Sequence, residues 1–361
     1  MFVVDSHCDT PSQLLRCRDI RLDNSYAHVD FPKLRRGGID ACFFALYTSN
    51  VLTREESENL ALRMLAAVYD ALEASSDIAA LARSPQEAYA LKERGLTAIF
   101  LGLENGLPFG KDLSLLRLFY RAGVRYVTLT HNGDNDICDS AAEGKRWGGL
   151  SPFGREVVAE MNRIGMLVDI AHCSDKTFYD CIEVSKAPIV STHSCCRALC
   201  SHRRNLTDDM LRALADKGGV CQINFYPVFL SDAFSKELEE TGLGDKSDVI
   251  EKAFRKEPWD PEKRAALYAV RDELKTLHRP GVKDVVDHID HAVKVAGIEA
   301  VGIGSDFDGI DVPPEGLEDI SMLRKVFDEM ARRGYSEDEI ELVAGRNFMR
   351  VLDDVARTRE L

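Results

Sequence analysis

The stretch Ala300-Val301-Gly302-Ile303-Gly304-Ser305-Asp306-Phe307-Asp308-Gly309 separates two architectures. It opens as a short apolar strand and contains Gly302-x-Gly304, the start of the glycine fingerprint with which an open, doubly wound sheet cradles a dinucleotide. Ser305, Asp306 and Phe307 follow, so no third glycine completes G-x-G-x-x-G. The run ends on carboxylates instead.

Seven similar runs, rich in Val, Ile and Phe, precede it: Phe2 to Asp5, Ala41 to Tyr47, Thr97 to Leu103, Tyr126 to Thr130, Met166 to Ala171, Pro188 to Ser191 and Gly219 to Asn224. With Ala300 to Ser305 they make eight. Amphipathic segments lie between them, such as Glu55 to Glu73, which carries Leu60, Met64, Ala67 and Val68 on one face. Ser151 and Pro152 open another that Gly165 closes, and Thr207 opens a third bearing Met210, Leu211 and Leu214. Near-continuous apolar strands alternating with helices specify a parallel sheet covered by helices. Eight such units point to a (β/α)8 TIM barrel, and barrels of this class reach the present 361 residues as a single domain. Residues 230–280 break the alternation between the seventh and eighth strands. They are charged, with a helical pattern from Glu262 to Leu277, and read as an inserted lid or subdomain.

Lys plus Arg number 46 against 60 Asp plus Glu, a net charge of -14. That balance argues against nucleic acid or an anionic membrane as partner, since both need concentrated positive charge. No run of about 18 apolar residues suggests a membrane span. The ten cysteines show no disulfide spacing, and a strand starting at Phe2 leaves no room for an export signal. A cytoplasmic protein with reduced thiols is expected.

Barrels of this class place reactive groups at the C-terminal strand ends. Those ends supply His7 and Asp9, Glu104, His131, His172, His193, Asn224 with Tyr226, and Asp306. In an extended chain His7 and Asp9, two apart, face one spot. Alone, His-x-Asp is equally a polar turn after an edge strand. Among such strand-end groups three imidazoles, an Asp and a Glu can hold two zinc ions if the glutamate bridges them, with a water left between. Paired ions about 3.5 to 4 Å apart acidify that water and steady a developing oxyanion. Such a hydrolase needs no nucleophilic Ser or Cys.

Seven motifs in order, Asp-Ser-His-Cys-Asp-Thr, Gly-Leu-Glu-Asn-Gly, Leu-Thr-His-Asn, Asp-Ile-Ala-His-Cys-Ser, Ser-Thr-His-Ser, Arg-Arg-Asn-Leu and Gly-Ser-Asp-Phe-Asp-Gly, give a chain that resembles the membrane (renal) dipeptidase family, peptidase family M19, among the amidohydrolase-like barrels. The resemblance implies a zinc-dependent dipeptidase that hydrolyses dipeptides, L-Xaa-D-Xaa substrates included, through a metal-bridging hydroxide. It assigns His7 and Asp9 to one of two Zn2+ ions, His172 and His193 to the other, and Glu104 to both. His131 would steady the oxyanion, Arg204 would receive the terminal carboxylate, and Asp306 would move the proton from water to the leaving amine. Asn224 and Tyr226 would line the substrate pocket. Arg203 stands where the family often has proline, leaving either Arg203 or Arg204 for the carboxylate. Relatives are often dimers, so a homodimer is a further expectation. The mammalian members are secreted and lipid-anchored, and this sequence shows neither signal.

Competing readings are another reaction on a two-metal barrel, such as lactone, phosphoester or deaminase chemistry, and a non-catalytic small-molecule-binding barrel. Many other branches begin with His-x-His and bridge with a carbamylated lysine, unlike His7-x-Asp9 with Glu104. His288 and His291 lie on or beside the polar face of a helix from Val285 to Ala296 and read as structural or surface groups. Cys195, Cys196, Cys200 and His202 lack paired C-x2-C spacing and read as core or loop residues. Asp308, beyond Asp306, reads as a support for its loop.

Overall fold

A computed structural model describes residues 1–359. Its parallel strands are β1 (Val4–Cys8), β2 (Ala41–Tyr47), β3 (Ala79–Leu81), β4 (Thr97–Glu104), β5 (Val124–Thr128), β6 (Leu167–Asp169), β7 (Ile189–Ser191), β8 (Val220–Ile223) and β9 (Val301–Ile303). Eight form the wall in the order β1-β2-β4-β5-β6-β7-β8-β9, the expected α/β TIM barrel. β3 is an addition that the sequence reading lacked. It pairs with Thr97 to Ile99, the part of β4 that extends below the start of β5.

The wall closes where its first strand meets the segment that follows its last. Cys8 and Phe307 form an isolated parallel bridge. The Asp306 N–H donates to the His7 carbonyl at 3.0 Å and the Asp9 N–H to the Phe307 carbonyl at 2.9 Å. The seam therefore consists of the residues that carry the expected site.

Alternation along the strands sorts side chains into two layers. On β2, Ala41 and Phe43 point inward, where they join Val4, Ala98, Phe100, Tyr126, Leu167, Val190 and Val220 in an apolar floor. Phe43 and Phe100 stack with centroids 4.5 Å apart, and Phe348, from the final helix Asn347–Arg357, closes the floor edge-on at 5.0 Å from Phe43. Cys42, Phe44 and Leu46 point outward to the helices.

β1 breaks this alternation. Its register runs Val4 to Ala41, Asp5 to Cys42 and then Cys8 to Phe44, so three steps on β1 oppose two on β2. One extra residue is a β-bulge, which turns the following side chains to the other face. Val4 points into the barrel below the bulge, and His7, of opposite parity, does so above it. The sequence reading placed His7 after a strand ending at Asp5. It lies instead within the strand, and the bulge aims it.

Thr53, Ser151 and Thr207 each cap a helix by accepting a backbone N–H, and Gly165, at φ 76, ends the helix Pro152–Ile164. Between β8 and β9 the helices Asp232–Thr241, Leu243–Lys256 and Pro261–Leu274 make up the insertion, with a small core of Phe234, Leu274, Leu277 and Val312. On the helix Val282–Ala296, His288 accepts from the Cys196 N–H and lies 3.2 Å from the Leu230 carbonyl, while His291 meets Asp208 at 2.7 Å. All ten cysteines are unpaired and Cys17 alone is exposed. Among the described residues no helix is long and apolar enough to cross a membrane.

Gly102 makes room for one of these elements. A Cβ there would sit 2.0 Å from the buried Tyr126 ring, and overpacking of a fixed core costs roughly 1–3 kcal/mol. Gly102→Ala is therefore expected to lower the melting temperature by several degrees. An unchanged melting curve would show that the Tyr126 ring is not fixed against β4.

Candidate metal centre

Glu104, the last residue of β4, brings its carboxylate into the barrel mouth above the apolar floor. Oε1 lies 3.1 Å from His172 Nε2, 3.7 Å from His193 Nε2 and 3.8 Å from His131 Nε2. Oε2 lies 3.4 Å from His7 Nε2, which is 3.8 Å from Asp9 Oδ2. Three groups of potential ligands overlap here: His7, Glu104 and His193; Glu104, His131 and His172; and His7, Asp9 and Asp306. Every expected metal ligand thus converges on one spot, with His131 beside them. The Asn224 amide donates to Asp306 Oδ2 at 2.9 Å.

The backbone is strained around this point. Among the described residues five other than glycine have positive φ, and four belong to the site loops: Asn105 (84°), His172 (70°), Asp306 (63°) and Asp308 (67°). Such conformations cost energy and collect where function needs a particular side-chain direction.

Hydrogen bonds fix which ring nitrogens are bare. His172 Nδ1 lies 3.0 Å from Asn132 Oδ1, an acceptor, so Nδ1 carries the hydrogen. Thr192 donates its hydroxyl to Asp169 at 2.7 Å, so its oxygen accepts from His193 Nδ1 at 2.9 Å. Both neutral rings then present bare Nε2 lone pairs to each other at 3.0 Å, a repulsive contact unless a cation lies against both. With ligands about 2.0–2.2 Å from zinc, neighbouring ligand atoms of a tetrahedron stand about 3.4 Å apart, the spacing found around Glu104. His7 Nε2 and Asp9 Oδ1 are buried without a hydrogen-bond partner. These residues fit a metal ion.

Charge points the same way. Burial disfavours a charged His7, but Glu104, Asp9 and Asp306 outweigh it and push its pKa up to about 10. Burial, reinforced by Glu104, raises Asp9, and burial lifts Asp306 to about 6 against the pull of His7. Burial holds His172 and His193 well below the usual histidine range. Three carboxylates thus share a pocket with imidazoles that burial holds neutral at His172 and His193, a donor set that suits a cation.

The whole chain, residues 1–361, matches the model of the membrane dipeptidase family, peptidase family M19. It belongs to that family. Among its relatives, dipeptidase aclJ of Aspergillus oryzae is 34% identical, covering 92% of this chain and 71% of that one, and an uncharacterised dipeptidase of Schizosaccharomyces pombe is 32% identical, covering 97% and 79%. The probable dipeptidase PvdM from Pseudomonas aeruginosa superposes with a TM-score of 0.85 at 28% identity, over 99% of this chain and 96% of that one. A metallo peptidase from Rhodobacter sphaeroides, solved with a phosphinate mimic of L-Ala-D-Ala, shares the fold at a TM-score of 0.81 and 24% identity, over 98% and 99%.

Within this M19 site the two candidate arginines differ. Arg203 is exposed and Arg204 is buried. The Arg204 guanidinium stands over the Phe229 ring at 5.3 Å, held by long bonds to Ser194 Oγ (3.4 Å) and the His193 carbonyl (3.2 Å), and its Nε is unpartnered. Tyr226 packs edge-on against Phe229 at 5.1 Å, and its N–H donates to Asn224 Oδ1. The sequence reading missed the groups behind the ligands. Tyr126 OH lies 2.8 Å from His7 Nδ1, and Asn132, Thr192 and Asp169 back the other two histidines. Tyr47 meets His131 edge-on at 4.8 Å. Asn132, Thr192 and Asp169 each stand in one of the quoted motifs, which was the available hint, whereas Tyr126 and Tyr47 lie outside them.

Asp308 ties the Asp306 loop to the start of the chain, accepting from Thr10 Oγ1 (2.9 Å), Arg18 (2.6 Å) and the His28 N–H (3.1 Å), while its own N–H donates to His28 Nδ1 (3.0 Å). Burial, only partly opposed by Asp308, holds His28 down to about 3 from an ordinary 6.5. The folded protein thus refuses a proton that the unfolded chain takes up below pH 6.5. His28 contributes stability that is present above pH 6.5 and is lost as pH falls toward 3, on the order of 2 kcal/mol by pH 5. Melting temperatures between pH 7 and pH 5 should fall less steeply for His28→Asn, which keeps an acceptor for Asp308, than for the wild type. Parallel slopes would remove His28 from the acid response.

Proposed function

We propose that this chain is a zinc-dependent dipeptidase that hydrolyses the single peptide bond of L,L and L-Xaa-D-Xaa dipeptides with two ions per chain. The observation that carries the reading is Glu104: each of its oxygens faces its own imidazole, His172 with His193 on one side and His7 with Asp9 on the other. His7, Asp9, His172, His193 and Glu104 would hold the ions. Bound there, they would supply a water of lowered pKa and a counter-charge for the oxyanion.

The chain's own groups do the rest. Arg204, buried and short of partners, offers a planar fork for the substrate's terminal carboxylate. That anchor places the scissile carbonyl toward Glu104 and His131, whose ring donates to the developing oxyanion. Burial holds His131 down to about 4, despite the pull of Glu104, so it acts as a neutral donor. Asn224 occupies Asp306 Oδ2, leaving Oδ1 to take the proton from water and deliver it to the leaving amine nitrogen. One water is consumed, the C–N bond breaks, and a free amino acid leaves from each side. Tyr226 and Phe229 wall the pocket beside Arg204. Ten unpaired cysteines suit a reducing cytoplasm, where we place the protein.

The test is a panel of L,L and L,D dipeptides assayed with wild type, Asp306→Asn and Arg204→Met, with metal content measured in parallel. Asp306→Asn should lose about 10²–10⁴-fold in kcat with its metal retained. Arg204→Met should lose about 10²-fold in kcat/KM, as expected when one partner of a buried charge pair is removed, and should no longer distinguish a dipeptide from its C-terminal amide. A metal-loaded wild type that leaves every dipeptide intact while cleaving lactones, phosphotriesters or nucleobases would overturn the reading. So would undiminished turnover by Asp306→Asn for the proton assignment.

A further inference from the structure

Three ligand histidines converge on Glu104, and each is backed by a different group. His7 Nδ1 meets the Tyr126 phenol and His172 Nδ1 the Asn132 amide. His193 is backed by a carboxylate at one remove. Its Nδ1 lies 2.9 Å from Thr192 Oγ1, and that hydroxyl is 2.7 Å from Asp169 Oδ2.

Asp169 is the hub of the barrel layer just beneath the ligands. Oδ2 accepts from the hydroxyls of Thr128 (2.5 Å) and Thr192, and Oδ1 from the N–H groups of Thr192 (2.9 Å) and Ala171 (3.1 Å). It is fully buried. One carboxylate thus grips the residue before His172 and the residue before His193, across β5, β6 and β7. A carboxylate only accepts, so it takes the single hydroxyl proton of Thr192. The Thr192 oxygen can then only accept from His193. That forces the hydrogen of His193 onto Nδ1 and leaves Nε2 bare toward His172 and Glu104. Without the carboxylate, Thr192 could donate to Nδ1, and the hydrogen of the ring would move to Nε2, where it blocks a metal.

We propose that Asp169, acting through the Thr192 hydroxyl, is the positioning residue that sets the His193 tautomer and thereby the affinity of the ion position that His193 and His172 serve. This rests on the metal-centre reading above. Loss of such an outer partner weakens metal binding about 10–100-fold. The His7 and Asp9 position, backed by Tyr126, does not share this support, so the two positions respond differently.

Zinc titrated into chelator-treated protein against a chromophoric competitor tests this, with cobalt spectra reporting ligand geometry and melting curves reporting the fold. Thr192→Val, nearly isosteric, should weaken one of two binding phases by about 10–100-fold and leave the other in place. Thr192→Ser, which restores the hydroxyl, should bind within about threefold of wild type by the same reasoning. Thr128→Val removes a different hydrogen bond to the same carboxylate and should leave both phases near wild type. Long-range proton–nitrogen NMR of the chelator-treated wild type, which needs no substitution, should find His193 protonated at Nδ1. Wild-type zinc binding by Thr192→Val, equal losses in Thr192→Val and Thr128→Val, or a His193 ring protonated at Nε2 would each overturn the proposal. A wild type that binds no metal at all would instead overturn the metal-centre reading, so the two failures are distinguishable.

Discussion

A carboxylate buried in a barrel mouth is costly unless opposite charge or donors surround it, and Glu104 is the point on which this constraint falls. It is 3% exposed, and its nearest polar neighbours are the imidazoles of four different strand ends. The bulge in β1 exists to turn His7 toward it, the seam to bring Asp306 alongside, and the left-handed backbone at His172 to swing that ring inward. Each is a local expense of the fold that makes sense only with positive charge at the centre.

The floor beneath sharpens that requirement. Phe43, Phe100 and Phe348 fill the barrel below the candidate ligands with apolar rings. Little water can reach the ligands from that side, and in such surroundings charges act on one another strongly. The opposed shifts of neighbouring groups follow: His7 is driven up while His172 and His193 are driven down, although all three rings lie within one small volume. His7 faces three carboxylates, and the other two rings are weighed down by burial with Arg204 and fellow imidazoles nearby.

Much of this was legible in the sequence, for definite reasons. Strands buried on both faces leave unbroken apolar runs, so all eight wall strands could be found, and site residues follow such runs directly. β3 was hidden because a three-residue strand of Ala-Ala-Leu has no pattern distinct from the helix before it. The bulge was hidden because an extra residue in one strand is defined only against its partner. Arg203 and Arg204 are identical in chemistry, and only packing against Phe229 and His193 separates them. Tyr126, Thr192 and Asp169 lie inside strands or directly beside them, where a polar residue looks like ordinary strand composition until its partner across the barrel is known.

The seam between β1 and β9 also bears on how the molecule is made. His7 and Asp9 precede Asp306 and Phe307, which hydrogen-bond to them, by about 300 residues, so they leave the ribosome long before their partners. Closure is thus among the most non-local contacts the chain forms, and such contacts form late. A nascent chain can assemble most of the wall, with Glu104 and all four histidines of the mouth already emerged, and still lack both Asp306 and the backbone clasp that steadies His7 and Asp9. The mouth of the barrel is thereby completed only when the last strand is in place.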